Sequence, residues 1–212
     1  MKIYFYLFLL FFTSCNNTRQ DETKAKHFFE EKNFEKALKE INQVIKLQPD
    51  SISNYELRAM IYGSLGKYEE DISDLNKIIS FNKSKYDSVS LMAYHQRAVA
   101  ELQIGQYKEA LSDIDVFINN RNTIGSLAAA YINKASILDQ SGNHDIAQKY
   151  YELALKENNK KEKSIDSQAL VGLANLTKTP NKELIYLNKA ISIDDKNPLA
   201  YKGFSYKKNS KG

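Results

Sequence analysis

A ladder of unlike residues recurs along this chain at nearly constant spacing, and it limits the possible folds more than any other feature. Tyr55, Tyr94 and Tyr131 stand in line, with Arg58, Arg97 and Lys134 three residues after each. Ala59, Ala98 and Ala135 come next, and Gly66, Gly105 and Gly142 follow seven residues later. Two residues past each Gly sits Tyr68, Tyr107 or His144. Ala25 and Ala59 are 34 residues apart, as are Phe34 and Tyr68. The later steps are 39 and 37 residues, so short insertions near 86–90 and 125–127 lengthen the unit. A period of this size means one supersecondary unit per copy, each with an apolar face that only its neighbour covers.

The period inside each copy is helical. In Glu35–Ile45 the apolar residues Ala37, Leu38, Ile41, Val44 and Ile45 recur at steps of three and four, which is one face of an amphipathic helix, and Asp145–Leu155 repeats the pattern. Eight Gly and three Pro in 212 residues are too few for the many tight turns of an all-β chain. Charged residues make up 26% with both signs mixed, and the formal net charge is +4. That describes a solvated exterior and lacks the dense basic stripe that nucleic-acid binding needs, so no nucleic-acid partner is expected.

These residues resemble the tetratricopeptide repeat. Its first helix carries a large residue, a small one and an aromatic; a Gly turn follows, and a second helix carries Ala and a large residue. The step from Ala to a large residue is present as Ala37 with Ile41, Ala110 with Ile114 and Ala147 with Tyr151. The resemblance implies an all-α chain, a right-handed superhelical solenoid of about five helical hairpins. The units fall near 18–51, 52–85, 91–124, 128–161 and 164–197, with a capping helix over 198–208, and the solenoid is expected over 25–208. Tyr55, Ala59, Gly66, Tyr68, Tyr94, Ala98, Gly105, Tyr107, Tyr131, Ala135, Gly142 and His144 are its structural positions, with His144 read as a packing aromatic. Asp71 and Glu183 stand where the repeat has Ala, which predicts looser packing at both. Arg58 with Asp74, and Arg97 with Asp113, are each 16 residues apart and are expected to face one another across a hairpin as ion pairs.

The N-terminus has a different character. A single Lys2 precedes a ten-residue apolar run, Ile3–Phe12, too short to span a bilayer as a helix and suited to a secretory signal. Thr13, Ser14 and Cys15 follow, and this resembles the lipobox of bacterial lipoproteins, departing from it at Phe12 where a smaller aliphatic is usual. The resemblance implies cleavage after residue 14, acylation of Cys15, a tether over 15–24, and anchoring at a cell-envelope membrane, in particular the outer membrane. The alternative is an ordinary signal peptide with Cys15 a free thiol. One cysteine forms neither an internal disulfide nor a cysteine metal cluster.

Catalytic motifs are missing from the sequence. His27, His95 and His144 form no His-Glu-x-x-His arrangement, and neither a phosphate-binding loop nor a Gly-x-Ser-x-Gly elbow occurs. No enzymatic role and no cofactor or metal are expected. The repeat register puts Met60, Met92, His95, Val99, Leu102, Ile132, Ser136 and Asp139 on the inner wall, where tetratricopeptide proteins hold ligands. Methionine and aliphatic side chains there suit an apolar helix or extended peptide. The positions of the Lys/Asn/Arg clamp that grips C-terminal carboxylates hold Glu22, Lys26, Glu56, Met60, His95 and Val99, so acidic C-terminal peptides are not expected to bind. The expected role is a membrane-anchored docking module for a protein partner. The alternative is a structural or oligomerising component, or a pilotin-like assembly factor of an outer-membrane or secretion complex.

Overall fold

The structure, a computed structural model, describes residues 22–81, 86–121, 125–158 and 162–209. Cys15, the expected signal segment and most of the expected tether lie outside the described residues. Within them every regular element is an α-helix. The helices are α1 (22–30), α2 (Phe34–Leu47), α3 (Ile52–Ser64), α4 (Tyr68–Phe81), α5 (Ser88–Gln103), α6 (Tyr107–Asn120), α7 (Leu127–Gln140), α8 (His144–Glu157), α9 (Lys163–Leu176), α10 (Pro180–Ile193) and α11 (Pro198–Asn209).

The chain divides into two compact units, one up to Ile104 and one from Gly105. That division falls inside the hairpin expected over 91–124. In the first unit α2 packs on α3, α3 on α4, and α4 on α5. In the second, α6 packs on α7, α7 on α8, α8 on α9, and α9 on α10. There α7 also touches α9, and α9 touches α11, which closes the end against α10.

A tight turn ends the first helix of a hairpin. Gly66, Gly105 and Gly142 adopt φ of +70°, +75° and +85°, the left-handed region that glycine enters without a Cβ clash. The chain then folds back: Lys67 N donates to Tyr62 O at 2.9 Å, and Asn143 N donates to Leu138 O at 2.8 Å. The first hairpin makes the same closure, with Asn33 N donating to Phe28 O at 2.8 Å, yet Lys32 occupies the glycine place at φ +59°. The two insertions supply helix caps instead. Asp87 Oδ1 accepts from Ser90 N at 2.7 Å, and Ser126 Oγ accepts from Ala129 N at 3.3 Å. The proline-less turn after α8 is held by Asn158, whose Nδ2 donates to Glu162 O at 2.9 Å and to Asp166 Oδ1 at 2.8 Å, while its Oδ1 accepts from Glu162 N at 3.0 Å.

Small residues set the helix spacing. Ala25, Ala37 and Ala59 are buried in the first core beside Ile41, Leu75 and Ile78; Ala135, Ala147 and Ala154 are buried in the second. Each buried Leu or Ile contributes about 1.5–3 kcal/mol. Around them the ladder's cations tie helices together. Arg58 Nε and Nη2 each donate to Asp74 at 2.7 Å, and Nη1 donates to Asn42 Oδ1 at 2.8 Å, linking α2, α3 and α4. The rings of Tyr55 and Tyr62 flank the guanidinium at 5.4 and 5.6 Å. In the second unit Lys134 Nζ donates to Asp115 Oδ1 at 2.5 Å and lies 4.4 Å from the Tyr150 ring centroid. The other expected pair, Arg97 with Asp113, has one residue in each unit.

Candidate functional site

In the first unit a cleft of about 460 Å3 opens between α3 and α5, with α4 as its floor. Helix α3 contributes Ala59, Met60 and Gly63; α5 contributes His95, Gln96, Val99, Ala100 and Gln103; α4 contributes Tyr68 and Asp71. The walls belong to first helices of hairpins, whose apolar stripes are shared between the core and the cleft. Met60 is 48% exposed, unusual for a large apolar side chain, and lines the cleft.

The floor carries the site's distinctive chemistry. Asp71 is only 9% exposed; at the equivalent positions Ala37, Ala110 and Ala147 are buried alanines, and Glu183 is half-buried. There is room for its carboxylate because Gly63 stands opposite: a Cβ placed on Gly63 would lie 3.1 Å from Asp71 Oδ2. Burial pushes the Asp71 carboxyl up to about 7, and the nearby charge of Asp74 adds to the effect. Asp74, three residues on, is already committed to Arg58. Across the cleft, burial holds the His95 imidazole below its ordinary value, so it is neutral at pH 7.

The second unit has a cleft of its own, about 480 Å3, lined by Asp139 and Asn175 on the first helices and by His144 and Gln148 on α8. It is more polar. His144 Nδ1 lies 2.9 Å from Asp139 Oδ1. Among the described residues there is no group of three or more His, Cys, Asp or Glu placed to hold a metal ion, and no helix long and apolar enough to cross a membrane.

Comparison with known proteins places this geometry. The tetratricopeptide repeat family matches residues 52–85 and 128–161, one hairpin in each unit. These two hairpins match the tetratricopeptide repeat. Solved structures of similar fold include residues 41 to the end of MamA from Desulfovibrio magneticus RS-1, at 13% identity and a TM-score of 0.66, covering 85% of this chain and 97% of that one. A thermophilic tetratricopeptide protein of Thermus thermophilus matches at 14% identity and a TM-score of 0.63, covering 89% and 97%. YrrB, described as a tetratricopeptide protein with an unusual peptide-binding site, matches at 18% identity and a TM-score of 0.58, covering 87% and 90%. At these identities the likeness concerns the fold. No curated protein sequence matches.

In tetratricopeptide terms, the inner-wall expectation divides between the two units. Met60, His95 and Val99 surround one cleft. Met92 is half-buried and does not line it. Leu102 and Ile132, expected on the wall, are buried at 7% exposure each. These register positions border both the hollow and the helix seam; Leu102 and Ile132 are buried, while Val99 lines the hollow. Ser136 is half-buried and within 3.2 Å of the Tyr151 hydroxyl. Asp139 lines the second cleft with His144.

His144 departs from the expectation of a packing aromatic. Its side chain is 63% exposed, because an imidazole that pairs with a carboxylate gains nothing from leaving water. Tyr68, read from sequence as packing alone, also lines the first cleft, and Asp71, read as a packing irregularity, forms its floor. The signal for Asp71 was present in the sequence as an acid in a slot that three other hairpins fill with Ala.

Proposed function

We propose that this chain is a membrane-anchored docking protein of the bacterial cell envelope that takes an apolar peptide or helix of a protein partner into the cleft between α3 and α5. A stack of tetratricopeptide repeats is a protein-interaction module. The observation that carries the reading is the cleft itself: about 460 Å3, within the range of roughly 300–1,000 Å3 usual for ligand pockets, with Met60 and Val99 on its walls. Acylated Cys15 supplies the anchor, and the residues from Cys15 to the start of α1 give the module reach from the membrane surface. Anchoring raises its local concentration near membrane-bound partners.

Two experiments test the two halves. Partner capture from detergent-solubilised envelope is compared between the wild-type chain and Met60→Glu with Val99→Glu; the variant is expected to lose the partner while keeping its helical circular dichroism. Equal capture by both excludes the cleft. For the anchor, Cys15→Ser is expected to move the chain from the membrane to the soluble fraction, and unchanged fractionation removes the lipid from the account.

A second reading, an oligomerising component, is favoured by Ile185, Leu199 and Tyr201. These side chains on α10 and α11 are large, apolar and exposed, Ile185 at 63%. Sedimentation of the chain with Ile185→Lys separates the readings: a loss of self-association points to assembly through this end.

A further inference from the structure

The cleft of the first unit contains a feature that binding of an apolar segment alone does not use. Its floor is a carboxyl group, Asp71, that receives no hydrogen bond and no ion pair from any described residue. Asp71 is nine-tenths buried, and no Lys or Arg lines the cleft with it. The neighbouring Asp74 has its cation in Arg58, while Asp71 has none. Three other hairpins avoid this cost with a buried Ala at the same place, the hairpin of α9 and α10 has the less buried Glu183 there, and Gly63 provides space for the acid. A local rule broken where a cavity opens marks a functional position.

We propose that Asp71 sets the specificity of this cleft, which recognises an apolar peptide segment bearing a Lys or Arg whose cationic head pairs with the Asp71 carboxylate. The inference rests on the docking role proposed above and names the chemistry of its ligand. Lys and Arg fit this geometry because their methylene stems lie along apolar walls while the charged end reaches further. Here Met60, Ala59, Val99 and Ala100 form such walls, with the acid beneath them. A cation arriving there meets an acid in a poorly solvated site, where pairing is strong and a neutral side chain leaves the carboxyl unmatched. The raised proton affinity of Asp71 fits a site that awaits a positive partner.

The test uses the full-length chain in a mild detergent and a random peptide display library, panned in parallel on the wild type and on Asp71→Ala. That substitution installs the Ala that three other hairpins bury at this position, so the fold is retained. The wild type is expected to enrich peptides with Lys or Arg among apolar residues, and Asp71→Ala to lose that preference. In a synthetic copy of an enriched peptide, replacing the Lys by norleucine is expected to weaken binding to the wild type more than tenfold and to leave binding to Asp71→Ala within about twofold. Enrichment of apolar peptides without a cation, or equal binding of the norleucine peptide, overturns the inference while the cleft remains a binding site. No enrichment on the wild type, or a cleft closed by a second copy in a dimer that Met60→Glu dissociates, overturns both.

Discussion

Replacing Asp71 by Ala should make the protein more stable, and the gain should depend on pH in one direction. The buried carboxyl titrates near 7 in the folded chain, against 3.8 in an unperturbed one. The folded state therefore holds its proton more tightly than the unfolded state does. By linkage, the penalty for keeping Asp71 is absent below about pH 4, grows as pH rises between 4 and 7, and is constant above. If the group were sealed from water, the gap would correspond to about 4 kcal/mol. The open cleft lets water approach, so about 2 kcal/mol is the expected gain above pH 7. Urea denaturation of the wild type and Asp71→Ala at pH 4, 5.5, 7 and 8.5 measures it as the difference of midpoints multiplied by m. Carboxylates remote from Asp71 contribute equally to both proteins and cancel. A difference that does not change with pH, or a variant less stable than the wild type at pH 8.5, refutes the argument that Asp71 is buried without compensation.

Other side chains yield further expectations. Arg58→Ala removes the cation from a largely buried Asp74 and the donor to Asn42, and should cost about 2–3 kcal/mol in urea denaturation; Arg58→Lys, lacking the two-pronged fork, should recover only part. A Cβ on Gly172 would lie 2.6 Å from Tyr151 Cε2 and closer still to Cζ, so Gly172→Ala should cost about 1–3 kcal/mol. Tyr151→Leu, which brings in a side chain of the size found at Leu75 and Leu187, should rescue it, and the double variant's melting temperature tests this. Lys32→Gly should stabilise by about 1 kcal/mol by relieving a left-handed backbone at φ +59°, seen as a raised melting temperature.

Periodicity made the hairpins legible, because a residue that must recur does so for a backbone or packing reason. The Gly66, Gly105 and Gly142 rung is a rung of left-handed turns, and Ala59, Ala98 and Ala135 are buried where helices approach. The Arg58–Asp74 pair was legible too, since a spacing of 16 sets two charges across one hairpin. Periodicity does not say which side chain fills the space at a shared position. Tyr151 is larger than Ile41, Leu75 or Ile114, and Gly172 on the next hairpin is small enough to admit it, a match of two residues in different copies. In the same way a wall position holds exposed Met60 in one copy, while Leu102 and Ile132, on the wall by register, turn into the core. His144 follows the register of Tyr68 and Tyr107, yet its polarity keeps it in water beside Asp139. Lys32 marks a turn that glycine counting overlooks, because the local backbone closure from Asn33 N to Phe28 O holds a non-glycine in the left-handed region.

The central claim, that a protein partner seats between α3 and α5, is tested most directly by a photo-reactive benzoylphenylalanine in place of Met60, in the full-length chain at its native membrane. Ser73, exposed on α4 and away from the cleft, serves as the control position. Irradiation should give a discrete adduct from position 60 and none from position 73, with a partner peptide mapped by mass spectrometry to an apolar segment. Adducts of equal yield at both positions, or none at position 60, would contradict it.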